Sequence, residues 1–147
     1  MLLFSLVASL PSSASISHIE VKKEVLASFK SLVEASIKLD SKAYFAHFDK
    51  DKFIGLNSNG ENWNSLQDLE PLIMNGFGSI KKVRLLTFTN VTVSVLNEQT
   101  AILVNEYVQS IELKNGKIVE LAGGGTQVWF KQSGFWKIVS VSASNKP

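Results

Sequence analysis

The hydrophobic rhythm of the chain changes at Ile80, and this limits the fold more than any other feature. Before that point apolar residues recur every three or four positions. After it they alternate, as in Val83, Leu85, Thr87, Thr89, Val91, Val93 and Val95. A period of two marks a strand with one buried face. Asn97-Glu98 turns this long strand into a second over 100–113, and Asn115-Gly116 fits a two-residue type I′ turn into a third, 118–131. Such a turn needs positive φ at both central residues. Ser133-Gly134 then turns into a fourth strand, 135–143. Gly123-Gly124-Gly125 interrupts the third strand and predicts a bulge or sharp bend, the device by which a sheet curls.

The first half reads as helices. Over 17–39, Val25, Phe29, Leu32, Val33 and Ile37 share a face opposite Lys22, Lys23, Glu24, Lys30 and Glu34, which predicts an amphipathic helix. Asp40 suits the N-cap of a second helix, 41–48, with Tyr44 and Phe48 on one side. Asp49-Lys50-Asp51 ends it, and 53–56 is a short strand closed by the turn-rich Asn57-Ser58-Asn59-Gly60. Ser65 and Asp68 resemble a capping box for a third helix stopping at Asn75-Gly76. Pro71 inside it predicts a kink, or a start delayed to about Asp68. The sum is an α+β domain whose N-terminal helices pack on a strongly curved antiparallel sheet, a cone-shaped barrel with helices over its mouth.

Bulk properties narrow the function. At 147 residues, 45% hydrophobic and 19% charged, the chain is globular and the size of one domain. Net charge is +2 and Arg84 is the only arginine, so the basic face that nucleic acids need is missing. The absence of cysteine excludes disulfides, thiolate metal sites and a cysteine nucleophile. His18 and His47 lack metal-ligand spacing, no serine sits in a G-x-S-x-G turn, and no GKS or GKT follows the glycine triplet. The expectation is no metal and no cofactor.

Residues 1–15 stand apart. Leu2 to Leu10 are an apolar run of signal-peptide length, too short to span a bilayer. Pro11 and the small residues Ser12-Ser13-Ala14 follow, though no basic stretch precedes the run. The expectation is a signal peptide over 1–15, a single domain over 16–147 and a periplasmic or secreted location. A cytoplasmic protein with an apolar arm is the alternative. No later segment is expected to span a membrane.

Four stretches carry a family resemblance: Asp40-Ser41-Lys42-Ala43-Tyr44-Phe45-Ala46-His47-Phe48, Thr100-Ala101-Ile102-Leu103, Gly125-Thr126-Gln127-Val128-Trp129-Phe130, and Gly134-Phe135-Trp136-Lys137-Ile138-Val139 ahead of Ser144. In order and spacing the chain resembles the nuclear transport factor 2-like superfamily over about 18–144. That superfamily includes SnoaL-like polyketide cyclases, ketosteroid isomerases and the association domain of calcium/calmodulin-dependent kinase II. The resemblance implies a pocket between the concave sheet face and the helices, and a homodimer through the convex face. In the kinase association domain the position matching Gln127 faces the cavity and is basic. By that analogy Asn105, Tyr107, Gln127, Trp129, Val139, Val141 and Ala143 line the pocket. Val104, Glu106, Thr126, Val128, Phe130, Trp136, Ile138, Ser140 and Ser142 then face outward.

The same resemblance withholds a reaction. The positions matching the isomerases' tyrosine and carboxylate base are Leu32 and Leu56, and no carboxylate lies within 53–60. Ser140 and Ser142 stand where many SnoaL-like relatives carry histidine. Glu106 is the remaining catalytic candidate; buried and unpaired, its raised pKa would suit acid or base work. The alternative pairs it with Arg84 or a lysine. Tyr44, Trp63 and Phe77 join Tyr107, Gln127, Asn105 and Trp129 as ligand-binding candidates, an aromatic wall with hydroxyl, indole and amide groups. The leading expectation is an exported binder of a small, largely apolar molecule. The alternatives are a SnoaL- or isomerase-like enzyme, with water or Glu106 as base, and an interaction module whose pocket is vestigial.

Overall fold

The computed structural model describes residues 13–147, so the apolar run at 2–10 lies outside the described residues. Three helices and six strands follow one another as α1 (Ser13–Ile37), α2 (Ser41–Phe45), β1 (Ile54–Leu56), β2 (Asn62–Trp63), α3 (Leu66–Ser79), β3 (Ile80–Asn97), β4 (Thr100–Leu113), β5 (Ile118–Gln132) and β6 (Phe135–Asn145). No helix among the described residues is long and apolar enough to cross a membrane.

Helix α1 buries Val21, Val25, Phe29, Leu32 and Ala35, a stripe at four- and three-residue steps, against the sheet. Val33 packs partly against this core, whereas Ile37 rotates into solvent. The helix ends in a Schellman arrangement: the Asp40 N–H donates to the Ala35 carbonyl at 3.0 Å and the Leu39 N–H to Ser36 at 3.1 Å. Leu39 takes the left-handed turn at φ 55°. Asp40 then caps α2, its Oδ1 accepting from the Ala43 N–H at 2.9 Å. That helix is shorter than its pattern suggests. Phe48 is instead bridged to Ile138, which pins the chain after α2 to β6.

Helix α3 starts before Pro71 and runs through Asn75-Gly76 to Ser79. Its cap is half a box: Ser65 makes no side-chain cap bond, while Asp68 Oδ2 accepts from the Asn64 N–H at 2.8 Å.

The sheet has six strands in the order β2-β1-β6-β5-β4-β3. It is curved and unclosed, with β2 and β3 at its edges, and β1 runs parallel to β6. Helices packed on a curved sheet are as expected, and the short strand expected over 53–56 is β1, whose parallel pairing makes the sheet mixed. A strand too distant in sequence to form a hairpin with β6 was free to pair in the parallel sense.

Strand phase also differs. The β3–β4 ladder slips between Val83 and Leu85 and again between Phe88 and Asn90, so Leu86 and Phe88 face inward rather than Leu85 and Thr87. The glycine triplet is not bulged, since Gly123, Gly124 and Gly125 pair in unbroken register with both β4 and β6. The slip in β6 comes instead opposite Val128 and Trp129. It places Trp136 and Ile138 in the core, leaves Val139 beside Val128 and Phe130 on the outer face, and corrects the parity expected for those three.

The turns exchange roles. Positive φ at two successive residues belongs to Ser133 (51°) and Gly134 (81°), whereas at Asn115-Gly116 only the glycine (85°) has it. There the Gly116 N–H donates to the Leu113 carbonyl at 2.9 Å and the Leu113 N–H to Lys117 at 2.8 Å, a three-residue loop ending in a left-handed glycine. Gly116→Val is expected to lower stability by about 1–2 kcal/mol in urea unfolding, because a β-branched residue resists that φ. Asn115→Ala loses only the bond to the Lys117 N–H and is expected to cost about half as much.

One ion pair ties α1 to the sheet: Glu24 Oε2 accepts from Lys131 Nζ at 2.8 Å and from Trp136 Nε1 at 2.7 Å. Hydrogen bonds from Lys131 and then Trp136 hold the Glu24 carboxyl below its ordinary 4.5. A lowered folded pKa gives stability that is present above about pH 4.5 and lost as pH falls through the folded value. Glu24→Gln is therefore expected to flatten the acid limb of a stability–pH curve followed by tryptophan fluorescence, leaving its shape at neutral pH unchanged.

Candidate functional site

A hollow of about 320 Å³ lies between the helices and the concave face of the sheet. Helix α1 contributes Phe29, Leu32, Val33 and Ser36 to its wall, α2 contributes Tyr44, and α3 contributes Ile73 and Phe77. The sheet supplies Leu86 and Phe88 from β3, Asn105, Tyr107 and Gln109 from β4, and Gln127 from β5. Aromatic edges frame it: Phe29 meets Phe88 at 5.0 Å between ring centroids, and Tyr44 meets Phe77 at 5.5 Å, both edge to face.

Five of the seven ligand-binding candidates therefore meet here: Tyr107, Gln127, Asn105, Tyr44 and Phe77. Trp129 does not reach the hollow. It is 0% exposed, and its Nε1 donates to Gln127 Oε1 at 3.0 Å, so it supports a wall residue from the core. Trp63 is also displaced. It is buried beside β1 and lines a groove on the other flank of the molecule with Glu61, Gln67 and Asp68. The glycine triplet bears on the same wall, since a Cβ at Gly123 would come within 3.0 Å of the Tyr107 hydroxyl.

Polar groups in the hollow are neutral. Asn105 is only 7% exposed, yet its amide atoms are not sealed from solvent; they open onto the hollow, and no side-chain bond holds them among the described residues. Burial pushes the Tyr44 phenol up to about 12. No carboxylate, imidazole, ammonium or guanidinium group stands among the thirteen lining residues.

The catalytic candidate lies elsewhere. Glu106 points to the opposite sheet face, is half-exposed, and pairs with Lys146 Nζ at 3.2 Å. The condition for acid or base work, a buried and unpaired carboxyl, is therefore not met, and the pairing with a lysine describes it. Leu32 lines the hollow, whereas Leu56 is exposed on β1. His18 is exposed. His47 holds its own helix end, with Nδ1 2.9 Å from the Ala43 carbonyl, and does not line the hollow. Among the described residues no three histidine, aspartate or glutamate side chains cluster closely enough to hold a metal.

Wall residues not foreseen as such are Phe29, Val33, Ser36, Ile73, Leu86, Phe88 and Gln109. Phe29 and Val33 were legible as the apolar face of α1. Leu86 and Phe88 were hidden by the ladder slips described above.

A model of the calcium/calmodulin dependent protein kinase II association domain matches residues 21–147. The chain belongs to that family. Solved structures similar to it share its fold. The association domain of C. elegans calcium/calmodulin dependent protein kinase II superposes with a TM-score of 0.71 at 20% identity, covering 87% of this chain and 98% of that one. A nuclear transport factor 2-like superfamily protein from Salmonella enterica serovar Typhimurium gives 0.78 at 18% identity, with 88% and 94% covered. A candidate scytalone dehydratase from Novosphingobium aromaticivorans gives 0.81 at 10% identity, with 90% and 89% covered. The association domain family therefore sits here within the nuclear transport factor 2-like fold, and identities this low speak of fold alone. No curated protein matches the sequence.

Proposed function

We propose that this association-domain relative binds a small, largely apolar molecule in the hollow between its helices and sheet. The observation that carries the reading is Asn105, a nearly buried amide with no partner among the described residues and an open space before it. The hollow leaves both ends of this amide open to solvent, so a ligand entering there meets a donor and an acceptor that no protein group has claimed. A volume of about 320 Å³ falls at the lower end of the range for small-molecule sites. Export belongs to the same reading through the apolar run at 2–10, and N-terminal sequencing of secreted protein tests it.

The test of binding is native mass spectrometry of purified protein, wild type against Tyr107→Phe with Gln127→Ala. The wild type is expected to retain a small molecule that the double variant loses, with stability lowered only by about 1–3 kcal/mol for the Trp129 indole bond that Gln127→Ala removes. A collapse of the melting temperature with retention unaltered would assign both residues to the core and end the proposal.

Self-association is the second reading, and the outer sheet face favours it. Ile54 is 59% and Val104 45% exposed there, next to an apolar depression among Val128, Phe130 and Val139. Such a patch suits a two-fold homodimer through the convex face. Sedimentation velocity of Val104→Lys is expected to show a monomer where the wild type is a dimer; an unchanged species would remove this face from the interface.

A further inference from the structure

We infer that the hollow selects a neutral ligand that presents a hydrogen-bond acceptor to Gln127 and a carboxamide-like donor and acceptor to Asn105, and that it rejects carboxylates. The inference rests on the small-molecule reading and deepens it. Its first support is the orientation of Gln127. An indole N–H can only donate, so the bond from Trp129 Nε1 at 3.0 Å must fall on the amide oxygen of Gln127. The amide is thereby fixed, and its NH₂ is the group left to meet a ligand. That face asks for an acceptor.

The second support is Asn105. Its amide carries both an oxygen and an NH₂, which face the hollow unclaimed by any side chain among the described residues and within reach of whatever enters it. An amide on the ligand satisfies both at once, in the paired geometry that carboxamides adopt with one another.

The third support is charge. With Phe29, Leu32, Phe77 and Phe88 around it and no charged side chain among the lining residues, an ionised ligand would lose its hydration with nothing of opposite sign in return. The Tyr44 phenol, held up to about 12 by burial, stays a neutral donor at physiological pH. Trp129 is a positioning residue here: it never reaches the hollow, yet it decides which end of Gln127 does.

Matched probes test the inference on the whole chain: benzamide, benzoate and benzamidine, together with a fragment library balanced among neutral amides, carboxylates and amidines. The readout is the side-chain NH₂ resonances of Asn105 and Gln127 in ¹H–¹⁵N spectra. Benzamide is expected to shift both and to bind roughly tenfold or more tightly than benzoate. In Gln127→Glu one carboxylate oxygen keeps the indole bond and the other carries negative charge to the hollow. The preference is then expected to move to benzamidine, while an unmoved Trp136 indole resonance, whose partner is Glu24, reports an intact fold. Benzoate binding as tightly as benzamide to the wild type overturns the inference and leaves the small-molecule reading standing. If no member of the library shifts either resonance, the small-molecule reading falls and the inference with it.

Discussion

Trp129→Ala is expected to lower the free energy of unfolding by about 4 kcal/mol, the range for removing a large aromatic from a packed core. Trp129 is among the largest fully buried side chains, in a cluster with Val25 and Phe29 from α1, Leu103 from β4 and Ile138 from β6. These neighbours are fixed by sheet pairing on one side and a long helix on the other, so the space cannot close by small shifts. Urea unfolding should show the lower midpoint directly. A second consequence separates this tryptophan from ordinary core: the Gln127 oxygen loses its donor, and the amide becomes free to turn over. A loss below about 1.5 kcal/mol would mean that the core refills the space and that packing around Trp129 is loose.

Gly124→Ala is expected to cost about 3 kcal/mol, near the upper end for overpacking. The reason is room rather than backbone freedom, since Gly124 does not have positive φ. A Cβ there would run into the backbone carbonyl oxygen of Asn105 in the neighbouring strand. Gly124 is paired with Glu106 on one side and Ser144 on the other, so β5 cannot step aside without breaking a ladder. Because the obstructing oxygen belongs to Asn105, any relief also moves a wall of the hollow. Gly76→Ala provides the contrast. It lies within α3 with nothing within 4 Å of a new Cβ, and the change is expected to stabilise by about 0.5–1 kcal/mol. Parallel denaturation curves of the two variants check the pair; equal effects would show that crowding at β5 is unimportant.

Local signals in the sequence were read well where local physics decides the outcome. The change of period at Ile80, the bounds of β4 and the Asp40 cap are of this kind, because each depends on a few adjacent residues. The long-range features were not legible. Nothing near Val139 announces that β6 slips opposite Trp129, since the slip is a property of two paired strands. The same holds for β3, where alternation that looks unbroken hides a change of face between Leu85 and Leu86. Gly123 to Gly125 signalled a bulge or a sharp bend, and unbroken register removes the bulge. Glycine marks both bulges and close approach of a neighbouring backbone, and only the packed sheet distinguishes them. Of the site, strand parity grouped Asn105, Tyr107 and Gln127 on one face, since β4 and β5 keep their phase, and the family resemblance chose that face as the inner one. Trp63 did not, since it belongs to a two-residue strand outside the long meander.

The parallel ladder between β1 and β6 joins Ile54 to Ser140, Gly55 to Val141 and Leu56 to Ser142, with α3 and three long strands intervening along the chain. Closing so wide a loop is entropically costly, and it gains its contacts only after the β3–β6 meander is in place. The three-residue seam is therefore expected to close late, beside the Phe48–Ile138 bridge and the α1 core that also join the helices to the meander. Fraying of that seam would loosen α2 and α3 against the sheet while each half kept its own hydrogen bonds. A guest bound between the halves would act as the clasp, slowing hydrogen exchange along β1 more than anywhere in the meander.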